Sequence, residues 1–298
     1  MQLLSFLTGW EVQPVRTDQG ATKTSPPLQA LLIEKKENQR LKKTNLEKRS
    51  RDINSSEPPA DLNIFARMRS YQHIFFDLDH TLWDFEKCSI ETLGDLYSAT
   101  DMASSCPFSA TEFLTTFSKV NYALWSQYNV GRIAKETLRQ ERFKIIFNTL
   151  NYVNDELADY LNEAYIKNCS QKGHLIPYAR EVLEYLSPRY HLHIITNGFE
   201  EIQHIKMKSS GISSYFKEII TSEKAGYKKP EKGMFNFAMN AANTTASRCI
   251  MVGDDLEADM VGASNSSIDN IFFNPGKIAV QLKVTHEVAC LREIITIL

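Results

Sequence analysis

The chain has 298 residues, 43% of them hydrophobic and 23% charged, with a formal net charge of −2. That is enough apolar material for one or two globular domains, and so small a net charge gives no general handle for a nucleic-acid polymer or a membrane surface. Five scattered cysteines without a CxxC pair point to a reduced, cytoplasmic protein with no disulfide framework and no zinc site, and no apolar stretch approaches the roughly 20 residues that span a bilayer. The opening MQLLSFLTGW lacks a basic segment ahead of its apolar residues, so a secretory leader is not expected.

Residues 1–67 differ from the rest. Pro26-Pro27 and Pro58-Pro59 flank a run from Ile33 to Asp52 with eight basic and four acidic side chains and few large apolar ones. Such a run cannot bury a face, so an N-terminal extension that is disordered or a solvated helix is expected. It reads as an appendage rather than a basic arm for a partner.

Beyond it, short Ile/Val/Phe-rich runs alternate with stretches of helical length. HIFFDL comes first. From about Cys88 to Asn168 there is no strand run, only helical spacing in IETLGDLYSA, TEFLTTFSKVNYALWSQYN, KETLRQERFKIIFNTL and DELADYLNEAYIKN. LHIITN, EIITS, CIMVGD and NIFFN follow, separated by helical segments such as GFEEIQHIKMKSSG and EKGMFNFAMNAAN. Apolar runs with little polar alternation suit parallel strands buried on both faces. The expectation is an α/β fold, a doubly wound parallel sheet with an inserted helical cap. Residues 71–86 and 175–298 would form the core and 87–174 the cap.

Ligands of open α/β sheets bind beyond the carboxyl ends of the strands, and every polar cluster here lies at such an end. The first run closes on Asp77, Asp79 and Thr81, and the second on Thr196, Asn197 and Gly198. Lys228, Lys229 and Pro230 follow the third, and Asp254, Asp255 and Asp259 the fourth. Two carboxylates one residue apart raise each other's pKa and are costly as a bare pair. A metal offsets that cost, and Mg²⁺ is a hard cation that takes oxygen ligands. The chemistry suggested is phosphoryl transfer through an aspartyl-phosphate, with a lysine and a threonine hydroxyl on the phosphate oxygens. Alternate positions of an extended segment point the same way, so Asp77 and Asp79 can both face the site.

DLDHT, ITNG, KKP and VGDDLEAD, in that order, resemble the four motifs of the haloacid dehalogenase-like hydrolases, over about residues 72–298. The helical insertion after the first motif resembles the type 1 cap of that superfamily. IITNGFEEIQ, SEKAGYKKPEKGMF and VNYALWSQYNVGRI are similar to its pyrimidine 5′-nucleotidase subfamily, which dephosphorylates nucleoside monophosphates, including non-standard ones. The resemblance implies Asp77 as nucleophile and Asp79 as general acid and base. It implies Thr196, Asn197 (through its backbone N–H) and Lys229 on the phosphate. Mg²⁺ would be held by Asp77, Asp254 and the backbone carbonyl of Asp79. Asp259 would orient Lys229 or a metal-bound water, and Asp255 would cap the following helix.

The partner expected is therefore a small-molecule phosphomonoester, a nucleotide, with no nucleic-acid polymer and no membrane; no feature sets an oligomeric state. Rival readings are another capped phosphatase acting on phosphoglycolate or a sugar phosphate, a phosphomutase, and a non-catalytic binding protein on the same fold. His80 is expected to face away from the site, packed or solvated. Trp125 and Tyr122 are read as cap core, with stacking on a base as the competing reading. Trp83 and Phe85 stand where the superfamily carries a flap, and are expected to help close the site against water.

Overall fold

A computed structural model describes residues 71–298. The expectation for residues 1–67 lies outside the described residues. Six strands form one sheet: β1 (His73–Phe76), β2 (His191–Thr196), β3 (Phe216–Thr221), β4 (Cys249–Gly253), β5 (Asp269–Phe273) and β6 (His286–Val288). All neighbours pair in parallel, in the order β3-β2-β1-β4-β5-β6. Five of these contain the apolar runs expected to be strands. The sixth, β6, is a three-residue edge strand whose sequence is His-Glu-Val, too short and too polar to stand out.

β1 shows why the runs carry no polar alternation. All four residues are buried, but on different faces. Phe75 packs with Met234, Phe235 and Met260 on one side of the sheet. Ile74 and Phe76 pack with Leu192, Ile194 and Val252 on the other. Burying side chains of this size contributes about 1.5–3 kcal/mol each, so a polar residue on either face would be destabilising.

Between β1 and β2 lie helices α1 (Phe85–Ala99), α2 (Ala110–Asn129), α3 (Lys135–Thr149), α4 (Asp155–Ser170) and α5 (Ala179–Leu186). Helix α1 starts earlier than the periodic stretch suggests, because the Asp84 carboxylate caps it by accepting from the Lys87 N–H at 3.0 Å. A reciprocal box of Ser109 and Glu112 starts α2. Phe113, Phe117, Phe143, Phe147 and Tyr165 fill the space between the inserted helices. The buried Arg142 guanidinium lies over the Phe117 and Tyr165 rings, 5.9 and 5.2 Å from their centroids. Helix α6 (Glu200–Ser209) follows β2 and α7 (Lys232–Ala241) precedes β4. No helix among the described residues is long and apolar enough to cross a membrane, and all five cysteines are free thiols.

Candidate active site

β1 occupies the centre of the sheet, and the strand order reverses beside it. The chain runs from β1 outward through β2 to β3, then returns to β4 on the other side of β1. Asp77 leaves the end of β1 and Asp254 the end of β4. The two carboxylates stand where an open α/β sheet has its crevice.

The buried ammonium of Lys229 joins the pieces. Its Nζ donates to Asp77 Oδ1 at 2.5 Å and to Asp259 Oδ1 at 2.6 Å. Its backbone is pinned by a side chain from the β2 end. The Lys229 N–H donates to Asn197 Oδ1 at 2.8 Å, and Asn197 Nδ2 donates to the Lys229 carbonyl at 3.0 Å. That use of the Asn197 amide is additional to the backbone role expected from sequence. Asp254 Oδ1 accepts from the Thr81 hydroxyl at 2.8 Å. The Thr196 hydroxyl is buried and accepts from the Gly198 N–H at 3.0 Å. Asp259 folds back across Gly253, where a Cβ would stand 2.2 Å from its Oδ2. A glycine is thus required for that carboxylate to reach Lys229. Asp255 caps the helical turn Leu256–Val261, accepting from the Glu257 and Ala258 N–H groups at 2.9 and 2.8 Å.

Three carboxylates face one ammonium. Oxygens of Asp77, Asp254 and Asp259 all lie within 4.8 Å of one another. Burial, aided by the charge of Asp77, pushes Asp254 up to about 7. Burial also raises Asp77 and Asp259, against the pull of Lys229. Burial alone would lower Lys229, but Asp259 and Asp77 hold it above the ordinary lysine value. A buried, all-oxygen, acidic set with uncompensated negative charge fits a hard divalent cation.

Asp79 behaves differently. Its carboxylate turns toward α6, where Lys206 Nζ donates to Oδ1 at 2.5 Å and Gln203 Nε2 to Oδ2 at 2.9 Å. Burial would raise its pKa, but the Lys206 charge and these hydrogen bonds outweigh burial and hold it below the ordinary carboxylate value. Lys206 is 8% exposed and sits 4.4 Å over the Trp83 ring. Sequence reasoning misses Gln203 and Lys206. Their signal is a Gln and a Lys three positions apart, one helical turn, on the helix opened by ITNG.

Asp77, Asp79, Thr196, Asn197, Lys229 and Asp254 all line one cavity of about 460 Å³ between the strand ends and the inserted helices. Helix α2 supplies much of the opposite wall, including Asn121, Tyr122 and Trp125. Tyr122 is 76% exposed, so it is not cap core. Trp125 lines the cavity while stacking on Phe199 at 5.3 Å. Besides that of Tyr122, two expectations fail. His80 does not face away: it adopts φ 66°, packs on Phe85 at 4.9 Å and lines the cavity, because the turn after Asp79 takes up the left-handed conformation there. Trp83 does not shield the site. It is fully buried, its Nε1 donating to the Lys172 carbonyl at 3.0 Å, because its ring is needed under Lys206. Phe85 is on the cavity wall.

Comparison with known proteins agrees with this architecture. The model of the haloacid dehalogenase-like hydrolase family matches residues 74–273. The pyrimidine 5′-nucleotidase YjjG of Escherichia coli is 32% identical over 203 residues, 67% of this chain and 85% of that one. The pyrimidine 5′-nucleotidase PynA of Streptococcus pneumoniae is 29% identical over 222 residues, 73% of this chain and 91% of that one. The magnesium-bound crystal structure of the hydrolase YfnB of Bacillus subtilis superposes with a TM-score of 0.69 at 25% identity, covering 76% of this chain and 98% of that one. With the family match spanning most of the chain and the parallel sheet carrying its acidic cluster at the strand ends, the chain belongs to the haloacid dehalogenase-like hydrolases.

Proposed function

We propose that the protein is a cytoplasmic, Mg²⁺-dependent phosphomonoesterase acting on nucleoside 5′-monophosphates, pyrimidine ones above all, through an aspartyl-phosphate. The observation that carries this reading is Lys229, bonded to Asp77 at 2.5 Å in a cavity that Thr196 and Asp254 also line. In the first step Asp77 Oδ forms a bond to phosphorus. The bond from phosphorus to the leaving oxygen breaks, its electron pair stays with that oxygen, and Asp79, ionised beside Lys206 before substrate enters but pushed toward its protonated form by the negative charge of the bound phosphomonoester, delivers a proton there. In the second step Asp79 takes a proton from water, whose oxygen bonds phosphorus while the Asp77–phosphorus bond breaks, releasing phosphate. Lys229, Thr196 and the Asn197 N–H hold the phosphate oxygens, where charge is greatest in the transition state. Mg²⁺, held by Asp77, Asp254 and the Asp79 carbonyl, would supply the counter-charge that the acidic cluster lacks.

The nucleotide assignment draws on the relatives called pyrimidine 5′-nucleotidases and on the cavity. A volume near 460 Å³ with the Tyr122 and Trp125 rings on one wall leaves room for a base beyond the phosphate. Free thiols suit a reducing compartment. Other relatives are called phosphatases of ribulose-1,5-bisphosphate and of glyceraldehyde 3-phosphate, so the test is a substrate panel. Uridine, thymidine and adenosine 5′-monophosphates, triose and pentose phosphates and p-nitrophenyl phosphate are compared with Mg²⁺ and with EDTA. The expected ranking by kcat/KM puts pyrimidine nucleotides first, with all turnover lost in EDTA. A preference for sugar phosphates refutes the nucleotide assignment, and full turnover in EDTA refutes the metal dependence.

A further inference from the structure

We propose that Lys206 and Gln203 are positioning residues that aim the Asp79 carboxyl group at the leaving oxygen. The proposal rests on the reading of Asp79 as proton donor. Asp79 has a fixed backbone. The turn after it is closed by the Leu82 and Trp83 N–H groups, both donating to the Leu78 carbonyl at 3.0 and 2.8 Å. Its side chain has no such constraint, and a carboxylate on two torsions samples several orientations unless something holds it. Here each oxygen has its own donor, Lys206 on Oδ1 and Gln203 on Oδ2. A carboxyl group held at both oxygens has one plane and one direction.

The donors are themselves held. The Lys206 ammonium lies over the Trp83 ring, and Trp83 is tied by its Nε1 to the Lys172 carbonyl. Gln203 is 1% exposed and reaches Asp79 through space that only a glycine leaves open. A Cβ at Gly198 would stand 1.5 Å from Gln203 Nε2. Three separate segments, the turn after β1, the β2 end and α6, thus converge on one side chain. A lysine serving only as a surface ion pair would need none of this support.

Placement matters because proton transfer is steep in distance and angle. A positioned general acid contributes about 10²–10⁴ in rate, and a misplacement of about 1 Å loses about 10². The contribution depends on the leaving group. A nucleoside 5′-oxygen must receive the Asp79 proton as its bond to phosphorus breaks. The nitrophenolate oxygen departs as a stable anion without it. The ratio kcat/KM covers the steps up to bond cleavage, so it reads this difference without interference from later hydrolysis of the aspartyl-phosphate.

The experiment compares Lys206→Met and Gln203→Leu with the wild type on uridine 5′-monophosphate and on p-nitrophenyl phosphate. Lys206→Met keeps the apolar stem and removes the ammonium. Its kcat/KM is expected to fall about 100-fold on the nucleotide, at least tenfold more than on the nitrophenyl ester. Gln203→Leu is expected to show the same selective loss, smaller in size, and Lys206→Arg to recover part of it. Gly198→Ala, which drives Gln203 aside without touching either donor's chemistry, should reproduce the Gln203→Leu pattern. Equal losses on both substrates, whether from unfolding seen as a lower Tm or from Lys206 gripping phosphate directly, overturn the proposal. A wild type that hydrolyses no alkyl phosphomonoester refutes the reading of the site before any variant is made, and this proposal with it.

Discussion

Asp254→Asn is predicted to make the metal-free protein more stable while removing its response to Mg²⁺. Asp254 holds its proton in the fold up to about 7, against an ordinary value of 3.8. Between those values the fold binds a proton that the unfolded chain does not, so the stability this carboxyl allows is complete below pH 3.8 and is lost as pH rises through 7. At 1.36 kcal/mol per pH unit the full loss is about 4 kcal/mol. Asp77 and Asp259 share the same excess charge and take over part of it, so the gain expected on neutralising Asp254 is about 2 kcal/mol at pH 8, or roughly 4–8 °C in Tm for a chain of this size. The asparagine oxygen can still accept from Thr81, so no other bond need be lost. Mg²⁺ at 100 times its Kd should stabilise the wild type by about 2.7 kcal/mol, and the variant, one carboxylate ligand short, far less. The assay is thermal denaturation at pH 5 and pH 8, in EDTA and in Mg²⁺. The variant should melt higher in EDTA, by more at pH 8 than at pH 5, with its advantage closing or reversing in Mg²⁺. A variant that melts lower in EDTA at pH 8, or that gains as much from Mg²⁺ as the wild type, refutes the account of the acidic cluster.

Asp77→Asn should reduce turnover at least about 10³-fold with an unchanged far-UV spectrum, since an amide is nearly isosteric but a poor nucleophile; steady-state kinetics check it. Gly253→Ala places a Cβ 2.2 Å from Asp259 Oδ2 and should displace that carboxylate from Lys229; a loss of more than about 2 kcal/mol in urea denaturation is expected. The buried pair of His73 and His193, ring nitrogens 3.0 Å apart, predicts an acid-sensitive sheet. Burial, with His73 and His191 nearby, lowers His193 to about 4 from 6.5. The stability tied to its neutral form is present above pH 6.5 and lost as pH falls through 4, at most about 3 kcal/mol. His193→Leu should flatten that part of the stability profile, and parallel profiles for wild type and variant would count against it.

The strands and the polar clusters at their ends were legible because each is written locally. HIFFD, ITN and MVGDD change within one residue from buried apolar to polar, and a strand that stops against a crevice must do so. The gathering of the clusters into one site followed from the rule that they converge at one end of a parallel sheet, while the strand order came from the structure. What was not legible depends on a side chain crossing between elements. Lys206 sits in a helix with Lys208 beside it, and nothing local separates the buried lysine from the solvated one. Gln203 becomes visible only through the space left at Gly198. Trp83 and His80 were misread for the same reason. Adjacent turn residues look alike in sequence, and the left-handed φ at His80 decides which ring meets the cavity.

The central place of β1 has a consequence for how the protein is made. Its first neighbour in the sheet, β2, presents His191 opposite His73 only 118 positions later, and Asp254, the partner of Thr81, is 173 positions later. At the usual 5–20 residues per second, that second interval is about 10–35 s of synthesis. Until β2 and then β4 leave the ribosome, His73–Phe76 is a strand with an open edge on each side, the state most prone to pairing with a stranger. The inserted helices make local contacts and can fold during this wait, which would give the emerging strand an apolar surface of its own chain to rest against.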